Sequence, residues 1–236
     1  MFNQILEELN SSIVSHGGHK VNVEKRFQEY FSKKKDTVIR SFLWDVPGFR
    51  RWRVTRMDGG EKLQVLNSVA YPNYSNEQPI LGIDLLWFEK KRKLVAVLDF
   101  QPLIQNDHYF RRYFEGLKTL KKSYPDFNSN KEMNLYDSNK YFSPWVLFYV
   151  GEGNNLKYSL REVFIDFLDK YWLIHKDPVQ NYQKLSPKKI KELHISYDAY
   201  NAEVDPAHGL FKSYFGKQWA DDFVQEFLFP NCNNLI

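Results

Sequence analysis

The chain has 236 residues with 43% hydrophobic and 17% aromatic content, enough for one large globular domain or two small ones. Thirty-three Lys and Arg against 29 Asp and Glu leave a net charge of +4. That excess is too modest to argue for nucleic acid, but it is compatible with docking a small acidic protein. The single cysteine, Cys232, excludes an intramolecular disulfide, a cysteine zinc site and a cysteine-held iron–sulfur cluster. No apolar run reaches the length that spans a membrane, so the expectation is a cytoplasmic protein in a reducing compartment.

In chain order, Phe2, Ile5, Leu6, Leu9 and Ile13 have helical spacing, and Gly17 and Gly18 break that helix. The opening residues read as an amphipathic segment rather than a signal peptide. Residues 23–31 predict a second short helix that ends in a lysine turn at 33–35. Strand signals follow over 38–44, with a tight turn at Pro47 and Gly48. Residues 49–57, FRRWRVTRM, predict a strand whose arginine-bearing face (Arg50, Arg56) interleaves with Trp52 and Val54. Asp58, Gly59 and Gly60 make a hairpin turn, and 62–71 return. Residues 80–88 and 94–101 form another pair about the basic turn EKKRK. Five strands joined by short turns argue for an antiparallel meander rather than βαβ units.

The period then changes. Phe110, Tyr113, Phe114, Leu117 and Leu120 predict a helix ending before Pro125. Residues 126–143 read as loop, and 144–150 as a strand stopped by Gly151 and Gly153. Ser159 with Glu162 predicts a capping box. The helix behind it carries Val163, Phe164, Phe167, Leu168, Tyr171 and Trp172 on one broad face. Ser186 and Pro187 open a further helix through Ile190, Leu193, Tyr197 and Tyr200. Asp205 and Pro206 interrupt it, 207–215 resume, and Gly216 ends the segment. Trp219, Phe223, Phe227 and Leu228 mark a last amphipathic helix, stopped by Pro230. The expected architecture is one domain over 1–236, a three-layer α/β/α sandwich around an antiparallel sheet.

Three strands carry a polar residue where an apolar one packs better: Asn67, Asp84 and Asp99. Alternation puts Asn67 with Leu63, Val65, Val69 and Tyr71, and Asp84 with Ile80, Gly82, Leu86 and Phe88. The other face of the Asp84 strand is Leu81, Ile83, Leu85 and Trp87, so neither face offers water. A buried carboxyl finds partners or becomes a neutral acid, and a neutral acid at pH 7 is a proton donor. Two readings stand: an aspartate satisfied by backbone amides, or an acid waiting for substrate. Asp205, before proline in AEVDPAHGLF, sits at a helix discontinuity. It is either the N-cap of the next segment or a presented acid, with His208 one turn on.

The six histidines lack zincin spacing, and His16 and His19 flank glycines as exposed loop residues. No phosphate loop, dinucleotide fingerprint or nucleophile elbow is present. Basic clusters at 33–35, 90–93, 121–122 and 188–191 read as solvated faces, or together as a docking surface for an acidic partner. The aromatic wealth, nineteen Phe, fifteen Tyr and six Trp, suits a pocket for a large planar ligand.

Several blocks resemble the ferredoxin-dependent bilin reductase family: WDVPGFRRWRVTR at 44–56, LQVLNSVAYP at 63–72, GIDLLWF at 82–88, LVAVLDFQPL at 94–103, DPAHGLF at 205–211, FGKQW at 215–219 and EFLFP at 226–230. The resemblance implies an α/β/α sandwich with the bilin between the sheet and the C-terminal helices. It implies no metal and no organic cofactor, with electrons arriving singly from reduced ferredoxin and radical intermediates on the substrate. It places the family's two catalytic aspartates on Asp84 and Asp205, as proton donors. Where the phycocyanobilin-forming branch has a histidine, this chain has Asn67, a substrate-orienting group that does not shuttle protons.

The blocks look most like the branch that reduces the 15,16 double bond of biliverdin IXα by two electrons to 15,16-dihydrobiliverdin, on the route to phycoerythrobilin. Another regiospecificity within the family, or a non-catalytic bilin escort, is the alternative. The partners so implied are biliverdin, ferredoxin and the next bilin reductase; the charge, the short apolar runs and the lack of any sign of an obligate interface add the expectation of no nucleic acid, no membrane and a monomer. Arg50, Arg56 and Lys212 are candidates for the bilin propionates or for plain surface roles.

Overall fold

The computed structural model describes residues 2–32, 35–129, 138–156, 159–176 and 184–234. In chain order the elements are α1 (Asn3–Ser15), β1 (His19–Val21), α2 (Lys25–Gln28), β2 (Glu29–Ser32), β3 (Thr37–Asp45), β4 (Phe49–Asp58), β5 (Gln64–Pro72), β6 (Ile80–Phe88), β7 (Lys93–Gln101), α3 (Asp107–Tyr113), α4 (Glu115–Ser123), α5 (Ser138–Tyr141), β8 (Leu147–Glu152), α6 (Leu160–Lys176), α7 (Pro187–Val204), α8 (Pro206–Phe215) and α9 (Lys217–Asp222). The last helix runs on into π-type turns over Phe223–Leu228.

The sheet grows out of its tight turns. Asp58 Oδ1 accepts from Gly60 N at 3.0 Å, and Gly60 takes φ of +60°, which closes the β4–β5 hairpin. The β6–β7 turn closes through Arg92 in the left-handed region. Strand order is β1-β3-β4-β5-β6-β7-β8, with β2 pairing on β3 beside β1. The paired strands are antiparallel throughout. The register sets Asn67 opposite Thr55 on one side and Asp84 on the other, with Val97 beyond Asp84.

One face of the sheet packs on α6 and, through it, on α1. Phe100 lies 5.1 Å from Phe167 and 5.3 Å from Tyr171, and Trp52 stacks on Trp172 at 5.2 Å. Trp172 Nε1 donates to Ser12 Oγ at 2.7 Å, which ties α1 to α6. The opposite face lies under α7, α8 and the C-terminal turns. One contiguous buried cluster extends from Phe2 to Cys232. The three-layer sandwich expected from the sequence is the fold observed.

The helix caps are where the sequence places them. Glu162 N donates to Ser159 Oγ, and Lys189 N donates to Ser186 Oγ with Pro187 in the first turn. Gly216 ends α8 at φ of +93°. All six residues named for the broad face of α6 are buried.

Other expectations are corrected. Residues 23–31 make only the single turn of α2, because Phe27 is its one buried residue. Tyr30 and Phe31 then pair with Ile39 and Val38 as β2. The helix over 110–120 is two helices, α3 and α4, meeting at Phe114. β8 starts at Leu147 and runs through Gly151, where a side chain would collide with the Tyr149 hydroxyl. His16 is not an exposed loop residue, since its ring stacks on Trp172 at 3.8 Å. Lys121 is not a solvated charge. Its ammonium is half-buried and donates to the Phe127 and Val146 carbonyls. Lys33 and Lys34 lie outside the described residues.

Candidate active site

Between the sheet and its C-terminal helical cover lies a cavity of about 450 Å³, within the range of small-molecule sites. Alternate residues of four neighbouring strands form its floor: Arg53, Thr55 and Met57 from β4, Val65, Asn67 and Val69 from β5, Gly82, Asp84 and Leu86 from β6, and Val95, Val97 and Gln101 from β7. Tyr197, Asn201, Asp205, Ala207, Leu210 and Phe211 form the roof, and Leu228 and Phe229 close one side. The alternation read from the sequence is therefore the one that lines the cavity. Most of its surface is apolar, so each polar group in it is costly unless paired.

Asp84 is central to the floor. It meets solvent only through the cavity, and protein surrounds it otherwise. Burial pushes its carboxyl up to about 7, and the Asp205 charge adds to the rise. The Asn67 hydrogen bond and the Arg53 charge oppose it. Asn67 Nδ2 donates to Asp84 Oδ1 at 3.1 Å, and Asn67 Oδ1 accepts from Arg53 Nη1 at 2.6 Å. The three residues form one chain of donors running from β4 to β6.

Asp205 reaches the same cavity from the roof. Oδ1 caps α8 by accepting from Ala207 N at 2.8 Å, and the same residue lines the cavity. Burial raises its carboxyl, against the Ala207 amide and the Arg53 charge. His208 turns away to Asp221, at 2.7 Å.

Asp99, the third polar strand residue, has a different role. Burial pushes it up to about 7 as well, but Ser143 donates to it from both backbone N and Oγ. It anchors the segment before β8 to β7 and stands outside the cavity wall.

Arg50, Arg56 and Lys212 do not line the cavity. A register shift between Phe49 and Arg51 puts an extra residue into β4. Arg50 accordingly leaves the Trp52 face and lies over the Tyr71 ring at 4.2 Å, donating to His194 Nδ1 at 3.0 Å. Arg56 pairs with Asp58 and Lys212 with Asp221. The cation that does line the cavity is Arg53, only 1% exposed and missed by the sequence reading. Its signal was present, since Arg53 falls two residues from Arg51 and Thr55 on the other face of the same strand. Gln101 and Tyr197 were also missed. The Tyr197 hydroxyl donates to Gln101 Oε1 at the end of the cavity beneath α7.

Among the described residues, no three His, Cys, Asp or Glu side chains are grouped to hold a metal ion. No helix among them is long and apolar enough to cross a membrane.

Fold and site together define a sandwich with a mostly apolar cavity between sheet and helices, lined by the carboxyl groups of Asp84 and Asp205. The family model for ferredoxin-dependent bilin reductases matches residues 6–230. A 15,16-dihydrobiliverdin:ferredoxin oxidoreductase of Prochlorococcus marinus is 60% identical over 233 residues, covering 99% of this chain and 97% of the relative. One of Synechococcus sp. is 52% identical over 230 residues, covering 98% of each. Among solved structures, phytochromobilin synthase from tomato in complex with biliverdin superposes with a TM-score of 0.78. It is 20% identical, and the match covers 100% of this chain and 85% of that one, a likeness of fold. The chain belongs to the ferredoxin-dependent bilin reductases.

Proposed function

We propose that the chain reduces biliverdin IXα at the 15,16 double bond to 15,16-dihydrobiliverdin, drawing two electrons, one at a time, from two molecules of reduced ferredoxin. Two protons complete the addition of two hydrogens across that bond. The relatives that share over half of the sequence carry this activity in their names. The observation that carries the chemistry is the placement of the Asp84 carboxyl in the apolar cavity floor with Asp205 in the roof, where burial raises it to about 7.

Each electron delivered to a bilin makes it more basic, and a neutral acid in contact neutralises the charge as it forms. Asp84 supplies the first proton, before or with the first electron. Asp205, also raised by burial, supplies the second from the roof. Asn67 orients the bilin and the acid by hydrogen bonds. The apolar lining keeps water from competing for those protons. Ferredoxin is the electron donor and biliverdin the substrate. A second bilin reductase is the expected consumer of the product.

The test is anaerobic. Protein, biliverdin, reduced ferredoxin and a regenerating reductase are mixed and the visible spectrum followed. Shortened conjugation should move the long-wavelength band to the blue, and the product should co-elute with 15,16-dihydrobiliverdin. A different dihydrobilin would overturn the regiochemistry. Bound biliverdin with an unchanging spectrum would overturn the enzyme in favour of an escort.

A further inference from the structure

We propose that Arg53 is a positioning residue for the acid: by holding the Asn67 amide in one orientation, it assigns the Asp84 proton to Oδ2 and keeps that proton free for the substrate. This rests on Asp84 being the proton donor.

A guanidinium has donors and no acceptor. The Arg53 Nη1 contact at 2.6 Å therefore requires oxygen, not nitrogen, on that side of Asn67. The NH2 end must then face Asp84, where it donates to Oδ1 at 3.1 Å. Of the two oxygens of a neutral acid the carbonyl oxygen is the stronger acceptor, so the amide N–H favours Oδ1 as carbonyl and Oδ2 as hydroxyl. With the amide reversed, Asn67 would present its own carbonyl to Asp84. The acid proton would be tied up in an O–H to O=C bond and withheld from the substrate. Arg53 is itself fixed: Nε donates to the Leu228 carbonyl at 3.1 Å, and the guanidinium lies over the Phe229 ring at 5.3 Å.

Arg53 also acts through its charge. The groups facing Asp84 are Arg53 from β4, Asp205 from the junction of α7 and α8, Asn67 from β5 and Val97 from β7. Tyr197, from α7, stays neutral because burial raises its hydroxyl. His208 is engaged by Asp221. Of the two charges, Asp205 raises the Asp84 carboxyl and Arg53 lowers it.

The experiment compares the full chain with Arg53→Met and Arg53→Lys. One readout is an infrared pH titration of the Asp84 carboxylic C=O band, isolated by subtracting Asp84→Asn, which removes the overlapping Asp99 signal. The other is the pH profile of single-turnover biliverdin reduction. In the parent protein the band should titrate near pH 7. Arg53→Met should move that midpoint, and the alkaline limb of the rate profile, up by about 1 unit or more. The rate on the acid plateau should fall about tenfold or more, because a reversed amide withholds the proton. Arg53→Lys, a cation that likewise cannot accept, should bring both back toward the parent.

A folded Arg53→Met protein whose infrared midpoint and plateau rate match the parent would overturn the proposal. If that variant does not fold, Arg53→Gln removes the charge and, since it accepts as well as donates, no longer fixes the Asn67 amide; an unshifted midpoint with an unchanged plateau rate there overturns it equally. Failure of the underlying reading looks different: Asp84→Asn would reduce biliverdin at the parent rate, while the infrared titration still reported whether Arg53 governs the carboxyl.

Discussion

Asn67 donates a 3.1 Å hydrogen bond from Nδ2 to Oδ1 of Asp84, across directly paired positions of β5 and β6. The bond joins a residue that cannot titrate to one whose carboxyl burial has pushed up to about 7. It is the largest of the influences that favour the charged form, and burial outweighs it. The acid is therefore left close to half-protonated at neutral pH.

Asp84→Asn should bind biliverdin within a few-fold of the parent affinity, since the replacement is isosteric and polar. Reduction should fall by about 10² or more, the usual contribution of a positioned acid. Anaerobic turnover with a separate absorbance titration of binding checks both halves. Parent activity should decline as pH rises through about 7, where the proton is lost.

The same carboxyl should cost stability. Its folded value lies above the ordinary 3.8, so the native state binds more protons than the unfolded state between about pH 4 and 7. Stability from this group is full below pH 4 and lost as pH rises through 7. Asp84→Asn should therefore be more stable than the parent at pH 8, by about 2 kcal/mol once solvent in the cavity is allowed for. The advantage should disappear near pH 4, and thermal unfolding at the two pH values decides it.

Asp205 serves as cap and acid together, and two substitutions separate the roles. Asp205→Asn keeps a good capping side chain and should leave stability within about 0.5 kcal/mol. Asp205→Ala should lose a further ~1 kcal/mol by urea unfolding. Both should slow the second proton transfer alike, visible in stopped flow as a persisting radical intermediate.

Asp99 shares the raised value of Asp84 but not its task. Ser143→Ala deletes the hydroxyl that donates to Asp99 and should cost about 1–3 kcal/mol in a denaturant melt. Turnover at saturating biliverdin should stay within about threefold, because the pair lies outside the cavity wall.

Gly82 leaves room for Gln101. A Cβ at Gly82 would lie 2.7 Å from Gln101 Cδ and 2.8 Å from Oε1. Gly82→Ala should push the Gln101 amide aside, break its bond to Tyr197 and weaken biliverdin binding by about tenfold, on the order of 1.4 kcal/mol. Fluorescence quenching by the bilin measures the affinity.

Periodicity and turn chemistry alone determine much of this protein. The Asp58 hairpin, the alternation of β5 and β6, the apolar stripe of α6 and the caps at Ser159 and Ser186 are local, and each is observed where the residues predict it. Residues 23–31 fail that reading because helical spacing around one buried ring, Phe27, is outweighed by edge pairing of Tyr30 and Phe31 with β3. Arg50 fails it for another reason. A single inserted residue in β4 changes which side chains share a face, and no period of two foresees a bulge.

The sequence alone also marks Asp84 and Asp99 as misplaced polar residues, but it does not tell them apart. Their roles separate only when segments distant in the chain close around them. Ser143 satisfies Asp99 with two donors, while Asp84 receives Asn67, the Arg53 charge and the opposing Asp205 across a cavity. A carboxyl's proton affinity depends on desolvation and on charges within a few ångströms. Those are properties of the closed tertiary structure, and the order of residues along the chain does not contain them locally.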